Sequence, residues 1–88
     1  MKIELRFYGG FAVAAGAERA EVDLPGDTLG ELLAEIRSRW PGVGGLLDGP
    51  ARGAAVLVLN GGALETPDPD TRLRDGDMLS IMPFVAGG

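Results

Sequence analysis

The residues of this chain best placed to do chemistry are its last two, Gly87 and Gly88, which close the run Ile81-Met82-Pro83-Phe84-Val85-Ala86-Gly87-Gly88. Glycine puts no Cβ beside a reacting carbonyl and lets backbone enter a narrow channel, so the Gly88 carboxylate is the candidate reacting group. Pro83 fixes one φ angle and has no amide hydrogen, which ends sheet pairing and turns the following residues out of the ladder. From Phe84 to Gly88 an extended chain reaches about 17 Å, enough to enter another protein's cleft. A free carboxylate is a poor electrophile and has to be activated. The chain contains no cysteine and no histidine, so thiolate nucleophiles, imidazole bases and the usual zinc ligands are missing. No phosphate-binding loop of the GxxxxGK[ST] type is present either. Activation therefore falls to a partner, and the chain reads as the handle of a carried group rather than as an enzyme.

Other chemistry-bearing residues have simpler explanations. Asp68, Asp70, Asp75 and Asp77 do not follow the spacing of a calcium loop and read as turn residues. Asn60-Gly61-Gly62 could cradle a phosphate, but a tight hairpin turn accounts for it. No metal and no cofactor bound by this chain is expected.

The elements that position the terminal glycines fit one small domain. With 88 residues, 45% hydrophobic and 24% charged, the chain is long enough for one core and too short for two. A net charge of −5 opposes binding to a phosphate backbone, so nucleic acid is not an expected partner. No apolar stretch approaches the length of a membrane span or signal peptide, and a cytoplasmic location is expected.

Lys2 to Tyr8 alternates, with Ile3, Leu5 and Phe7 on one side, the pattern of a half-buried strand. A Gly- and Ala-rich connection over Gly9 to Ala17 leads to a second strand, Arg19 to Leu24, hairpinned to the first. Thr28 and Glu31 form a capping box, and Leu29, Leu32, Leu33, Ile36 and Trp40 make one apolar helical stripe. Pro41-Gly42 is expected to end that helix. Gly42 to Gly53 reads as a loop with a short helical turn tucking Leu46 and Leu47 under the body. Ala54 to Leu59 reads as a strand buried on both faces, Asn60-Gly61 as a type I′ turn, and Ala63-Leu64 as a short return strand. Leu73 anchors the next loop, and Asp77 to Phe84 is the last strand. This order gives an α+β domain, a mixed sheet of four to five strands with one main helix on one face, over residues 1–83, and a tail over 84–88.

On the last strand, Leu79 and Ile81 belong to the helix-covered face. Met78, Ser80, Met82 and Phe84 share the other, joined there by Tyr8. Several apolar side chains left near a chain end forgo stability that a partner would recover. Met82, Phe84 and Tyr8 are therefore read as part of a docking patch.

The "GDTLGELL" helix start, the "LNG" turn, the "DGD" turn before the last strand and the "VAGG" end together resemble the ubiquitin-like β-grasp sulfur carriers, most closely the small subunit of molybdopterin synthase. The resemblance spans the whole chain. It implies that an E1-like adenylyltransferase uses ATP to adenylate the Gly88 carboxylate, and that sulfur from a persulfide enzyme converts the adenylate to a thiocarboxylate. The tail, Phe84, Val85, Ala86 and Gly87, would then thread into the molybdopterin synthase large subunit, where the thiocarboxylate supplies sulfur for the dithiolene of molybdopterin. It further implies that Tyr8, Ala63, Leu64 and Met82 lie on the open face that docks these partners. Many such carriers have two prolines before the terminal motif, where this chain has Pro83-Phe84. The same resemblance allows a carrier for cysteine, thiamin or tRNA thiolation, or a protein modifier attached through Gly88. Lys2 is the chain's single lysine, which would limit polymer linkage through its own side chains.

Overall fold

A computed structural model describes residues 1–48 and 55–84 of the chain. Strand β1 (Lys2–Phe7) is followed by helix α1 (Gly10–Ala15), β2 (Arg19–Asp23), α2 (Leu29–Arg39), α3 (Pro41–Asp48), β3 (Ala55–Leu59), β4 (Gly62–Leu64) and β5 (Met78–Pro83). The strands form one sheet in the order β2-β1-β5-β3-β4. β1 runs parallel to β5, with Leu5 opposite Leu79 and Phe7 opposite Ile81, and every other pairing is antiparallel. The mixed sheet with its main helix on one face agrees with the sequence reading.

Period-two alternation sends Ile3, Leu5 and Phe7 inward from β1 and Leu79 and Ile81 inward from β5, all at most 1% exposed. Leu29, Leu32 and Ile36 of α2 meet them and are fully buried. Leu33 and Trp40, read as part of the same stripe, are only half-buried at its edge. The Trp40 ring stands edge-on to Phe7, with centroids 5.2 Å apart.

The start of α2 leaves no orphan amide. The Leu29 and Gly30 N–H groups donate to the Thr71 and Pro69 carbonyls at 2.9 Å, and Leu32 N–H reaches the Thr28 carbonyl at 3.1 Å. Glu31 N–H donates to Thr28 Oγ1 at 3.2 Å, one half of the expected capping box, while the Glu31 carboxylate accepts from the Thr28 hydroxyl at 3.2 Å rather than from a backbone amide. The same contacts pin the loop that precedes β5, with Leu73 only 4% exposed as its anchor. The hairpin between β3 and β4 turns on Asn60 (φ 50°) and Gly61 (φ 85°), both in the positive region a type I′ turn requires.

Two expectations are corrected. Gly9–Ala17 is not an irregular connection: it contains α1, which buries Phe11 and ends on the left-handed Gly16 at φ 71°. Alanine's helix preference and a C-terminal glycine account for it. Pro41-Gly42 does not lead into a loop either. α2 stops at Arg39, and Pro41 opens α3, with Val43 and Gly44 N–H donating to the Trp40 carbonyl at 2.9 and 3.0 Å. Proline is suited to a first helical position because its missing N–H would be unpaired there.

α3 tolerates its glycines because they let its backbone approach its neighbours. A Cβ on Gly44 would meet Arg37 Cγ at 3.1 Å, and one on Gly42 the Ala14 carbonyl oxygen at 3.3 Å. Val43, fully buried, fills the role expected of Leu46, which is 37% exposed, while Leu47 is half-buried. The Arg37 guanidinium holds Asp48 with two hydrogen bonds of 2.7 and 2.9 Å. The bond to Asp48 raises the Arg37 pKa from its ordinary value against the opposing effect of partial burial. Residues 49–54, which include the expected strand start at Ala54, lie outside the described residues.

Thr28→Ala removes the acceptor for the Glu31 amide and leaves the rest of the stitched helix start in place. Thermal or urea unfolding is expected to show a loss of about 1 kcal/mol.

Candidate functional site

Among the described residues, no helix covers the sheet's second face. Alternation and the strand register place Lys2, Glu4 and Arg6 of β1 there, beside Asp23, Glu21 and Arg19 of β2. Across the sheet centre the same face continues through Met78, Ser80 and Met82 of β5, then Val56 and Val58 of β3, with Ala63 of β4 opposite Val58. One half of the face is thus charged and the other apolar. Tyr8, 46% exposed, and Phe84, 60% exposed, stand at the end where β5 leaves the sheet.

The expected patch is corrected in three places. Leu64 pairs with Leu57, which pairs with Ile81, so Leu64 belongs to the helix-covered face. There it lines a hollow of about 280 Å³ with Leu33, Leu47 and Leu57. Ser80 lies on the open face by register yet is only 6% exposed, because β5 is flanked by strands on both sides and its neighbours' side chains close over a small residue. β3 is not dry on both faces. Leu57 is buried, whereas Val56 and Val58 are half-buried on the open side. These two valines belong to the apolar strip and were missed in the sequence reading. The signal was available: a two-residue turn at Asn60-Gly61 sets Val58 opposite Ala63.

The end of β5 is shaped by backbone. Tyr8 N–H donates to the Ile81 carbonyl at 3.0 Å. A parallel ladder would next send the N–H of residue 83 to the Tyr8 carbonyl, but Pro83 has none. The Tyr8 carbonyl instead accepts from Phe11 N–H at 3.1 Å and starts α1. Between them Gly9 takes φ 56°, and a Cβ there would stand 3.0 Å from Pro83 Cγ. The Pro83 ring therefore sits against bare backbone, and pairing stops where Phe84 emerges. Val85, Ala86, Gly87 and Gly88 lie outside the described residues.

Three of the four aspartates singled out in the sequence, Asp68, Asp75 and Asp77, are occupied by backbone and side-chain donors. Asp68 accepts from Asp70 N–H at 2.8 Å, Asp75 from Lys2 N–H at 2.6 Å, and Asp77 from Arg74 N–H and Asn60 Nδ2 at 2.8 and 2.9 Å. Among the described residues no group of three or more acidic, histidine or cysteine side chains could hold a metal ion, and no helix is long and apolar enough to cross a membrane. What the open face offers is an apolar strip with charged residues beside it, which is the chemistry of docking.

Comparison with known proteins gives the context. The ThiS family model matches residues 5–88. Small archaeal modifier protein 3 of Haloferax volcanii is 33% identical over 92 residues, covering the whole of both chains. The crystal structure of SAMP1 from the same organism superposes with a TM-score of 0.82 at 25% identity, again over the whole of both chains. A protein–protein complex of subunits 1 and 2 of the molybdopterin-converting factor from Helicobacter pylori includes a chain that matches with a TM-score of 0.70 at 28% identity, each chain fully covered. The architecture is the ubiquitin-like β-grasp.

The two faces predict different responses to charge. Met82→Glu is expected to change stability by no more than about 1 kcal/mol, whereas Leu64→Glu, on the core face, should cost about 2 kcal/mol. Urea unfolding of the two variants measures the contrast.

Proposed function

The chain belongs to the ThiS family, the ubiquitin-like sulfur carriers and modifiers, and from that premise we propose that it is a sulfur carrier acting through the carboxylate of Gly88. A Gly88 carboxylate oxygen attacks the α-phosphorus of ATP on an E1-like partner, and pyrophosphate leaves. The terminal sulfur of an enzyme persulfide then displaces AMP from the acyl carbon, and a second thiol attacks the enzyme sulfur of the acyl disulfide, forming a disulfide with it and releasing the thiocarboxylate. Sulfur is a softer nucleophile than the oxygen it replaces, which suits transfer to a carbon of an acceptor. All catalysis resides in the partners.

The observation that carries this reading is the tail root. β5 lies at the sheet centre, pairing ends at Pro83, and Phe84 emerges between Tyr8 and the apolar strip. A partner gripping the strip by Tyr8, Met82 and Ala63, together with Val56 and Val58, would receive the tail Phe84 to Gly88 at a fixed point. For the pathway, we favour sulfur supply for the molybdopterin dithiolene with a synthase large subunit as acceptor. The likeness to one chain of a molybdopterin-converting factor complex supports this. A second reading, a modifier joined through Gly88 to lysines of other proteins, is favoured by the identity to a small archaeal modifier protein. The two share the activation step.

Intact mass after incubation with the activating enzyme, ATP and a persulfide donor tests the proposal. The expected gain equals a sulfur atom minus an oxygen atom, confined to the C-terminal peptide. An unchanged mass would refute the carrier, and conjugates to target lysines without that gain would select the modifier. Capture of a molybdopterin synthase large subunit by the thiocarboxylated chain would select the pathway.

A further inference from the structure

The charged half of the open face holds a pairing the fold does not need. Phe7 N–H donates to the Glu18 carbonyl at 2.9 Å and Leu24 N–H to the Met1 carbonyl at 2.7 Å, which makes odd-numbered β1 residues the hydrogen-bonded pairs. The outward pairs Lys2–Asp23, Glu4–Glu21 and Arg6–Arg19 are then the closely spaced kind. The first joins opposite charges. The other two set like charges against each other, which costs stability. Glu21 is relieved by Lys2, whose Nζ lies 3.9 Å away. Glu4 and Glu21 line a hollow beside Arg6 and Arg19, yet no ion pair among the described residues includes either arginine.

Three other arginines have partners, whereas the Arg74 side chain, at the far end of β1, shares with Arg6 and Arg19 the lack of an ion pair among the described residues. Arg37 and Arg72 bind the Asp48 and Asp27 carboxylates at 2.7 Å. Arg39 lies 5.5 Å over the Trp40 ring and donates to the Glu21 carbonyl at 3.1 Å. Arg6 and Arg19 instead line a hollow of about 220 Å³ with Tyr8, Gly9, Ala12 and Glu18. This hollow is at the end of the sheet from which Phe84 emerges.

We propose that Arg6 and Arg19 form a docking corner for acidic side chains of the enzyme that activates the tail, an inference that rests on the carrier-or-modifier reading above. A guanidinium fork matches a carboxylate geometrically, and two of them side by side accept an acidic loop or paired carboxylates. With a net charge of −5 the chain repels an acidic partner from most directions. A basic corner beside the tail therefore selects the one orientation that delivers Gly88.

Steady-state thiocarboxylation by the activating enzyme, read by intact mass, separates the possibilities. Arg6→Ala/Arg19→Ala in the full chain is expected to raise KM about tenfold with kcat unchanged, and to flatten the dependence of kcat/KM on salt. Its unfolding midpoint should hold or rise, because a like-charge pair has been removed. Arg74→Ala, in the loop at the opposite end of β1, should leave KM unaltered. A double variant with KM within twofold of wild type overturns the corner while the carrier stands. Failure of the activating enzyme to adenylate the wild-type chain, read by pyrophosphate release, overturns both.

Discussion

The parallel pairing of β1 with β5 is the constraint on which the rest of the structure depends. It puts the last strand at the sheet centre, between β1 and β3, so the segment that leads to Phe84 is held by hydrogen bonds on both sides. Parallel neighbours cannot be joined by a tight turn. The chain between them supplies α2, which covers the inner face, and the loop whose Thr71 and Pro69 carbonyls satisfy the first amides of that helix. The helix that closes the core is thereby tied to the approach to β5.

At the other end of β5 the same pairing is terminated cleanly. Pro83 cannot donate the next ladder bond, the Tyr8 carbonyl turns to Phe11, and Gly9 clears space for the proline ring. A rigid strand thus passes to an emerging segment within one residue. On the proposed reading this is what a carrier requires: a body that a partner can grip and an end that starts from a fixed point. On the same reading the open face divides the labour, with apolar contact through Met82, Val56 and Val58 and charge through Arg6 and Arg19.

Much of this was legible in the sequence. Alternation in Lys2–Phe7 and the Leu29, Leu32 and Ile36 stripe placed the core, the Thr28–Glu31 spacing placed the helix cap, and Asn60-Gly61 placed the hairpin. What escaped depended on neighbours that one strand or helix cannot reveal. Leu64 looked like part of the docking patch until the register across β3 and β5 assigned it to the covered face. Val56 and Val58 looked buried because an unbroken apolar run hides which residues point outward. α1 and α3 were hidden by glycines, whose local preference is against helix, although Gly42 and Gly44 are what allow α3 to pack closely. Gly9 gave no signal of its own; its role exists only through Pro83, far along the chain.

The central claim is that an end free of side chains is delivered into another protein's active site while the folded body serves as the grip. Appending a single phenylalanine after Gly88 tests it most directly, with conversion by the activating enzyme followed by intact mass. The account predicts that the extended, untrimmed chain stays folded, still binds the enzyme and gains no sulfur. Thiocarboxylation of the untrimmed chain at the wild-type rate would contradict it.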